Sequence, residues 1–130
     1  MNFHTYSFEK LEVWQLAREI RVDIYKLTQA FPKEEQFNLT SQIRRAIGSV
    51  TANIVEGSGR ATDKDRCRFT NNAYSSALEV LDHLIAAFDL NFVSEEQYTT
   101  YRIKLDKLIN KLNAYYKYQL SRDSNLGERI

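Results

Sequence analysis

A chain of 130 residues with net charge +1, 43% hydrophobic and 27% charged residues is that of one globular domain, not of a strongly basic nucleic-acid binder or a disordered tail. No apolar run approaches the ~18–20 residues that span a bilayer, and residues 1–8 show neither a charged n-region nor an apolar h-region, so a cytoplasmic protein without a membrane partner is expected. The single cysteine, Cys67, excludes an intramolecular disulfide.

One proline and four glycines leave little punctuation, so long helices are predicted. The first spans about 9–30, where Val13, Ala17, Ile20, Ile24, Leu27 and Phe31 alternate at spacings of four and three, the seam of a bundle helix. Phe31-Pro32 stops it, because proline disfavours the α conformation in the residue before it. The second helix starts near Asn38 or Thr40, either a candidate cap, and buries Leu39, Ile43, Ala46, Ile47, Val50 and Ile54. Gly57-Ser58-Gly59 is expected to end it in the left-handed conformation open to glycine. The third helix is capped by Thr62 and runs to about Leu90, with Phe69, Ala73, Val80 and Leu84 inward. After the link Asn91-Phe92-Val93, Ser94 and Gln97 form a capping box for the fourth, whose seam is Tyr98, Tyr101, Leu105, Leu108, Leu112 and Tyr115. Short loops between long amphipathic helices predict an all-α, antiparallel up-down-up-down four-helix bundle. Residues 1–130 form one domain, with a core over about 8–120 and a frayed tail over 121–130.

The seams leave apolar surface over. At ~100° per residue, Gly48, Ala52 and Val55 lie opposite the core direction of the second helix. The first helix carries Leu11, Trp14, Val22 and Tyr25 away from its seam, and the third spreads apolar residues over about half its circumference. Large exposed apolar patches mark interfaces, so a homo-oligomer is expected.

Polar residues also form rows. Ser49, Asn53 and Glu56 share one face of the second helix, and Arg68, Asn72, Ser75, Glu79 and His83 one face of the third. Meeting across a helix pair or a subunit boundary, Ser49, Asn53, Glu56, Ser75 and Glu79 would form a hydrogen-bond network that fixes register. The competing reading makes Glu56 or Glu79 a general acid/base beside His83, but no nucleophile motif or phosphate-binding glycine loop accompanies it. A di-iron bundle needs Glu-x-x-His on two helices, whereas Glu79 and His83 are four apart and the other histidine is His4. No catalytic residue, metal or cofactor is therefore expected, and Cys67 reads as structural.

Charge is unevenly spread. Residues 41–70 hold Arg44, Arg45, Arg60, Lys64, Arg66 and Arg68 against Glu56, Asp63 and Asp65, read as one cluster around the join of the second and third helices. Residues 71–93 carry Glu79, Asp82 and Asp89 without lysine or arginine. Lys104, Lys107 and Lys111 line one side of the fourth helix, with Tyr118 continuing the stripe. Arg44, Arg45, Lys104, Lys107 and Lys111 are the candidate phosphate contacts, against the plainer reading of solvated helix faces.

The order of motifs adds to this: Phe8-Glu9-Lys10-Leu11-Glu12-Val13-Trp14, Gln42-Ile43-Arg44-Arg45-Ala46, Ser49-Val50-Thr51-Ala52-Asn53-Ile54-Val55-Glu56-Gly57 and Ala73-Tyr74-Ser75-Ser76-Ala77-Leu78-Glu79. Over roughly 8–118 the chain resembles the bacterial four-helix-bundle family encoded in intervening sequences of large-subunit ribosomal RNA genes, sometimes labelled a ribosomal protein. The resemblance implies a homopentamer without known catalysis, similar to the accessory proteins of diversity-generating retroelements, which bind nucleic acid and a reverse transcriptase. Two functions follow as expectations: a non-enzymatic RNA- or DNA-binding accessory protein, or a structural scaffold for a protein partner without nucleic-acid binding.

Overall fold

The computed structural model of the chain describes residues 1–123. Four helices carry the fold: α1 Glu12–Thr28, α2 Leu39–Ser58, α3 Asp63–Asp89 and α4 Glu95–Asp123. Contacts between neighbours run in opposite senses along each pair. Thr28 meets Arg44 and Arg21 meets Thr51 between α1 and α2. Arg45 meets Glu79 and Ser49 meets Ser76 between α2 and α3. Phe88 stacks on Tyr98, and Asp63 takes Arg122, between α3 and α4. Lys104 reaches Asp23 and Lys111 reaches Glu12 between α1 and α4. The helices are thus antiparallel around a closed square, with α2 diagonal to α4.

The predicted seams form the core, except that Leu39 of α2 is only half-buried against it. Val13, Ala17, Ile20, Ile24, Leu27 and Phe31 of the first segment are buried, as are Ile43, Ala46, Ile47, Val50 and Ile54 of α2. Phe69, Ala73, Val80 and Leu84 of α3 and Leu105, Leu108 and Leu112 of α4 complete it, with Tyr98, Tyr101 and Tyr115 packed half-buried against it.

The helix ends differ from expectation in instructive ways. Residues 7–10 form a separate 3-10 turn, closed by the Glu9 carboxylate accepting the Tyr6 N–H at 2.7 Å. Extended Leu11 (φ −73°, ψ 127°) then breaks the path before α1. At its far end α1 stops at Thr28, before Phe31-Pro32, where Ala30 and Phe31 donate to the carbonyls three residues back. Neither Asn38 nor Thr40 caps α2 with its side chain. Thr40 is already inside the helix and buried, and the Glu35 carboxylate accepts the Leu39 N–H instead, at 3.3 Å. Thr62 and the Ser94–Gln97 box act as predicted, with Thr62 Oγ1 accepting from Asp65 N (3.2 Å), Ser94 Oγ from Gln97 N (3.0 Å) and Gln97 Oε1 from Ser94 N (2.9 Å). α4 continues through Ser121 and Arg122 to Asp123, past the expected start of the tail; the rest of that predicted tail lies outside the described residues.

Gly57-Ser58-Gly59 does end α2, at Ser58 with Gly59 as its cap, but not in the left-handed conformation expected. Gly59 sits at φ −88° in the right-handed region, and no glycine among the described residues has positive φ. The left-handed residue is Asn91 (φ 63°), just past α3. There Phe92 N donates to Ala87 O (2.8 Å) and Asn91 N to Phe88 O (3.0 Å), the double bond pattern of a Schellman end. Asparagine tolerates that conformation better than other side-chain-bearing residues. Gly57 serves packing instead, since it is buried and a Cβ placed there would lie 3.0 Å from Phe69 Cβ. α2 and α3 approach closely because that atom is missing.

Gly48 is the opposite case, since a Cβ built there meets nothing within 4 Å. Glycine within a helix costs about 0.5–1 kcal/mol relative to alanine. Gly48→Ala is therefore expected to stabilise the isolated subunit by about that amount in urea unfolding at low protein concentration. A loss of stability would show that the position is crowded within the subunit.

Candidate functional site

Small polar side chains join α2 to α3. Ser49 Oγ lies 2.9 Å from Ser76 Oγ, and Asn53 Nδ2 donates to both Ser49 Oγ (3.1 Å) and the Ser49 carbonyl (2.8 Å). The α3 hydroxyl in this cluster belongs to Ser76, whereas Ser75, the residue expected there, is exposed. One residue turns a helix by ~100°, enough to carry Ser75 out of the seam. Glu79 lies one turn further on, where it pairs with Arg45 of α2 and with His83 Nε2 at 3.0 Å. Glu56 is exposed and lines a groove between α1 and α2 instead. These are two short polar links that fix the α2–α3 register, with Glu79 occupied by an arginine and a histidine. Cys67 is buried, its thiol donating to the Lys64 carbonyl at 3.2 Å.

The five candidate phosphate contacts fall on separate sides of the bundle. Arg44 turns toward α1: its Nε donates to Thr28 Oγ1 at 2.8 Å, and its guanidinium lies 4.6 Å from the Tyr25 ring centroid. Arg45 turns toward α3, donating to Gln42 Oε1 at 3.1 Å and pairing with Glu79. Both occupy the first turns of α2, about 20 Å from its other end, so they do not join the cations near the α2–α3 connection. Lys104 and Lys111 face α1. Lys104 Nζ donates to Asp23 (2.8 Å) and Glu19 (2.9 Å), which hold its ammonium well above the ordinary lysine range. Lys111 Nζ lies 2.9 Å from Glu12, and its hydrogen bond holds that carboxyl below its ordinary value. Lys107 is exposed and makes no ion pair among the described residues. The lysine stripe is therefore largely one half of an interhelical ion-pair ladder. Its signal was present in the chain, since Glu12 and Glu19 repeat the seven-residue spacing of Lys104 and Lys111.

A different group of cations gathers at the end where α2 leads into α3 and α4 finishes. Arg60 and Arg68 lie 4.5 and 5.0 Å from the Phe69 ring centroid. Asp63, only 2% exposed, accepts from Arg122 (3.2 Å) and pairs with Arg66 (3.5 Å). Arg60, Lys64 and Lys117 are exposed and make no ion pair among the described residues.

The third feature is the groove on the α1/α2 face. Gly48, Ala52 and Val55 floor it on α2, Phe8 and Trp14 close one side, and Arg21 continues it toward Val22 and Tyr25. Trp14 is covered by Phe8 (ring centroids 5.0 Å), while Val22 and Tyr25 stand 47% and 45% exposed. Of the surplus apolar residues of the first segment, Leu11 and Trp14 pack against the subunit's own core, whereas Val22 and Tyr25 stand exposed. No helix among the described residues is long and apolar enough to cross a membrane.

An antiparallel bundle with register-fixing polar links and an uncovered apolar face defines a helical module. Comparison with known proteins makes this more specific. The 23S rRNA-intervening sequence protein family matches residues 9–114, and the chain belongs to that family. A solved structure from Bacteroides thetaiotaomicron VPI-5482, a protein of unknown function from the S23 ribosomal protein family, has the same fold. It superposes with a TM-score of 0.73 at 24% identity, covering 81% of this chain and 98% of that one. No curated protein matches the chain.

Proposed function

We propose that the chain is a non-enzymatic subunit that assembles through its uncovered α1/α2 face and binds RNA or DNA through cations displayed at the α2–α3 end. The supporting observation is a division among the cations. Lys104 and Lys111 are compensated by α1 carboxylates, whereas Arg60, Lys64 and Lys117 stand exposed without such partners at the end where Arg60 and Arg68 lie over Phe69 and Arg122 over Tyr118. Cations next to aromatic rings suit a phosphate backbone with unstacked bases. In the pentamer that the family resemblance implies, this end would be repeated five times, raising avidity without a large charge on any one chain.

Light scattering at micromolar concentration and RNA binding at several salt concentrations test the two halves separately. Engaging 6–10 phosphates per assembly would lower affinity about 10³–10⁵-fold between roughly 50 and 200 mM salt. Arg60→Ala with Lys64→Ala is expected to flatten that dependence, and Lys104→Ala to leave it unchanged. Absence of salt-sensitive binding would leave the second reading, a scaffold for a protein partner, which the internal pairing of Lys104 and Lys111 favours. A monomer would remove the assembly half.

A further inference from the structure

We infer that the α1/α2 groove is the seat for α3 of a second copy of this chain, joined head to tail. The inference rests on the assembly reading above and names the two surfaces that meet. On the receiving side, Gly48, Ala52 and Val55 recur at spacings of four and three along α2, with Val22 and Tyr25 of α1 beside them. The open space over Gly48 lets another helix approach closely, because interaxial distance is set by the side chains at the contact. The rim beside Val22 and Tyr25 is basic: Arg21 and Lys26 line it and Arg44 lies over Tyr25, while the one carboxylate of the lining, Glu56, stands at the other end beside Ala52 and Val55.

The inserted side has the complementary pattern. Leu78 on α3 is 42% exposed, and Asp82, Ile85 and Asp89 follow it at intervals of four, three and four. Apolar and acidic side chains thus alternate along one outer stripe roughly 16 Å long. Asp82 and Asp89 are exposed and make no ion pair among the described residues, and residues 71–93 hold no lysine or arginine. Ser76 and Glu79, by contrast, turn toward α2, so the stripe is not consumed within the subunit.

Charge also selects the pairing. Groove against groove would set Arg21 and Lys26 near their own copies, and stripe against stripe would do the same to Asp82 and Asp89. Like charges brought together at an interface are costly. Only groove against stripe is both apolar at its centre and opposite in sign at its rim. Such a contact is heterologous, and it closes into a ring when its rotation divides a full turn.

Sedimentation equilibrium tests this, with helix content by circular dichroism as the check on folding. Three variants are each expected to weaken association at least ~10-fold: Gly48→Leu, Asp82→Lys with Asp89→Lys, and Arg21→Glu with Lys26→Glu. All four charge reversals in one chain should restore association to within about 3-fold, because complementarity returns with inverted sign. If the wild type assembles and the Asp82/Asp89 variant assembles equally well, α3 is not the occupant, and the assembly reading survives. Failure of the combined reversal to restore association overturns the pairing in the same way. A wild type that stays monomeric at roughly 100 μM, well above micromolar affinity, overturns both.

Discussion

Truncating Leu108 to alanine is expected to lower the unfolding free energy by about 2–5 kcal/mol, the range for deleting a buried leucine side chain and leaving a cavity. The residue is fully enclosed, the middle of the three leucines that α4 buries. α2 inserts five apolar residues into the core, Ile43, Ala46, Ile47, Val50 and Ile54, and can lose part of one contact while holding the rest. α4 inserts Leu105, Leu108 and Leu112, with tyrosines flanking them at half burial. Domains of this size are stable by about 5–15 kcal/mol, so the change consumes a large share. Urea denaturation of the variant reads it directly, as a lower midpoint at unchanged slope. A loss below ~1 kcal/mol would mean that the neighbouring side chains close over the gap.

Gly57→Leu is the second large effect, with an expected loss of about 1–3 kcal/mol and a broadened or shifted α2–α3 packing. A Cβ alone would stand 3.0 Å from Phe69 Cβ and 3.5 Å from the Arg66 carbonyl. The first contact is to the root of a side chain, which cannot rotate away, and the second is to backbone. The helices must separate, and Phe69, held beside Arg60 and Arg68, must move with them. The gain that alanine brings to an exposed helical glycine is thus absent here. Thermal unfolding of the Gly57 and Gly48 variants side by side gives the contrast: a lower midpoint for the first, a higher one for Gly48→Ala at low concentration. Equal responses would show that the two glycines share one role.

The architecture was legible because each helix writes its buried side at intervals of three and four, and nothing in the chain competes with that pattern. Thr62, Ser94 and Gln97 were legible for a similar reason, since their partners are three residues away. The failures involve partners that lie off the local chain. Asn38 and Thr40 have the right chemistry for a cap, but Glu35 comes from the preceding turn and reaches the amide first. Gly57 looked like a terminator because glycine allows two uses, freedom of φ and absence of Cβ, and the facing Phe69 decides between them. Ser75 and Ser76 are adjacent hydroxyls, and the crossing of α2 over α3 selects the second. The lysine stripe was read from one helix alone. Its carboxylate partners on α1 run in the reverse order, so only an antiparallel α1–α4 pairing brings Lys111 to Glu12 and Lys104 to Glu19.

The connections have a kinetic meaning. Residues 59–62 and 90–94 suffice to reverse the chain between α2, α3 and α4, so much of the packing joins segments close in sequence. Helical proteins of low contact order fold in microseconds to milliseconds, faster than most encounters between dilute molecules. On that timescale a dilute chain completes its own core, the Gly48 groove included, before it can meet another. Any association of this protein is then a docking of finished parts, with a concentration dependence separate from its folding rate.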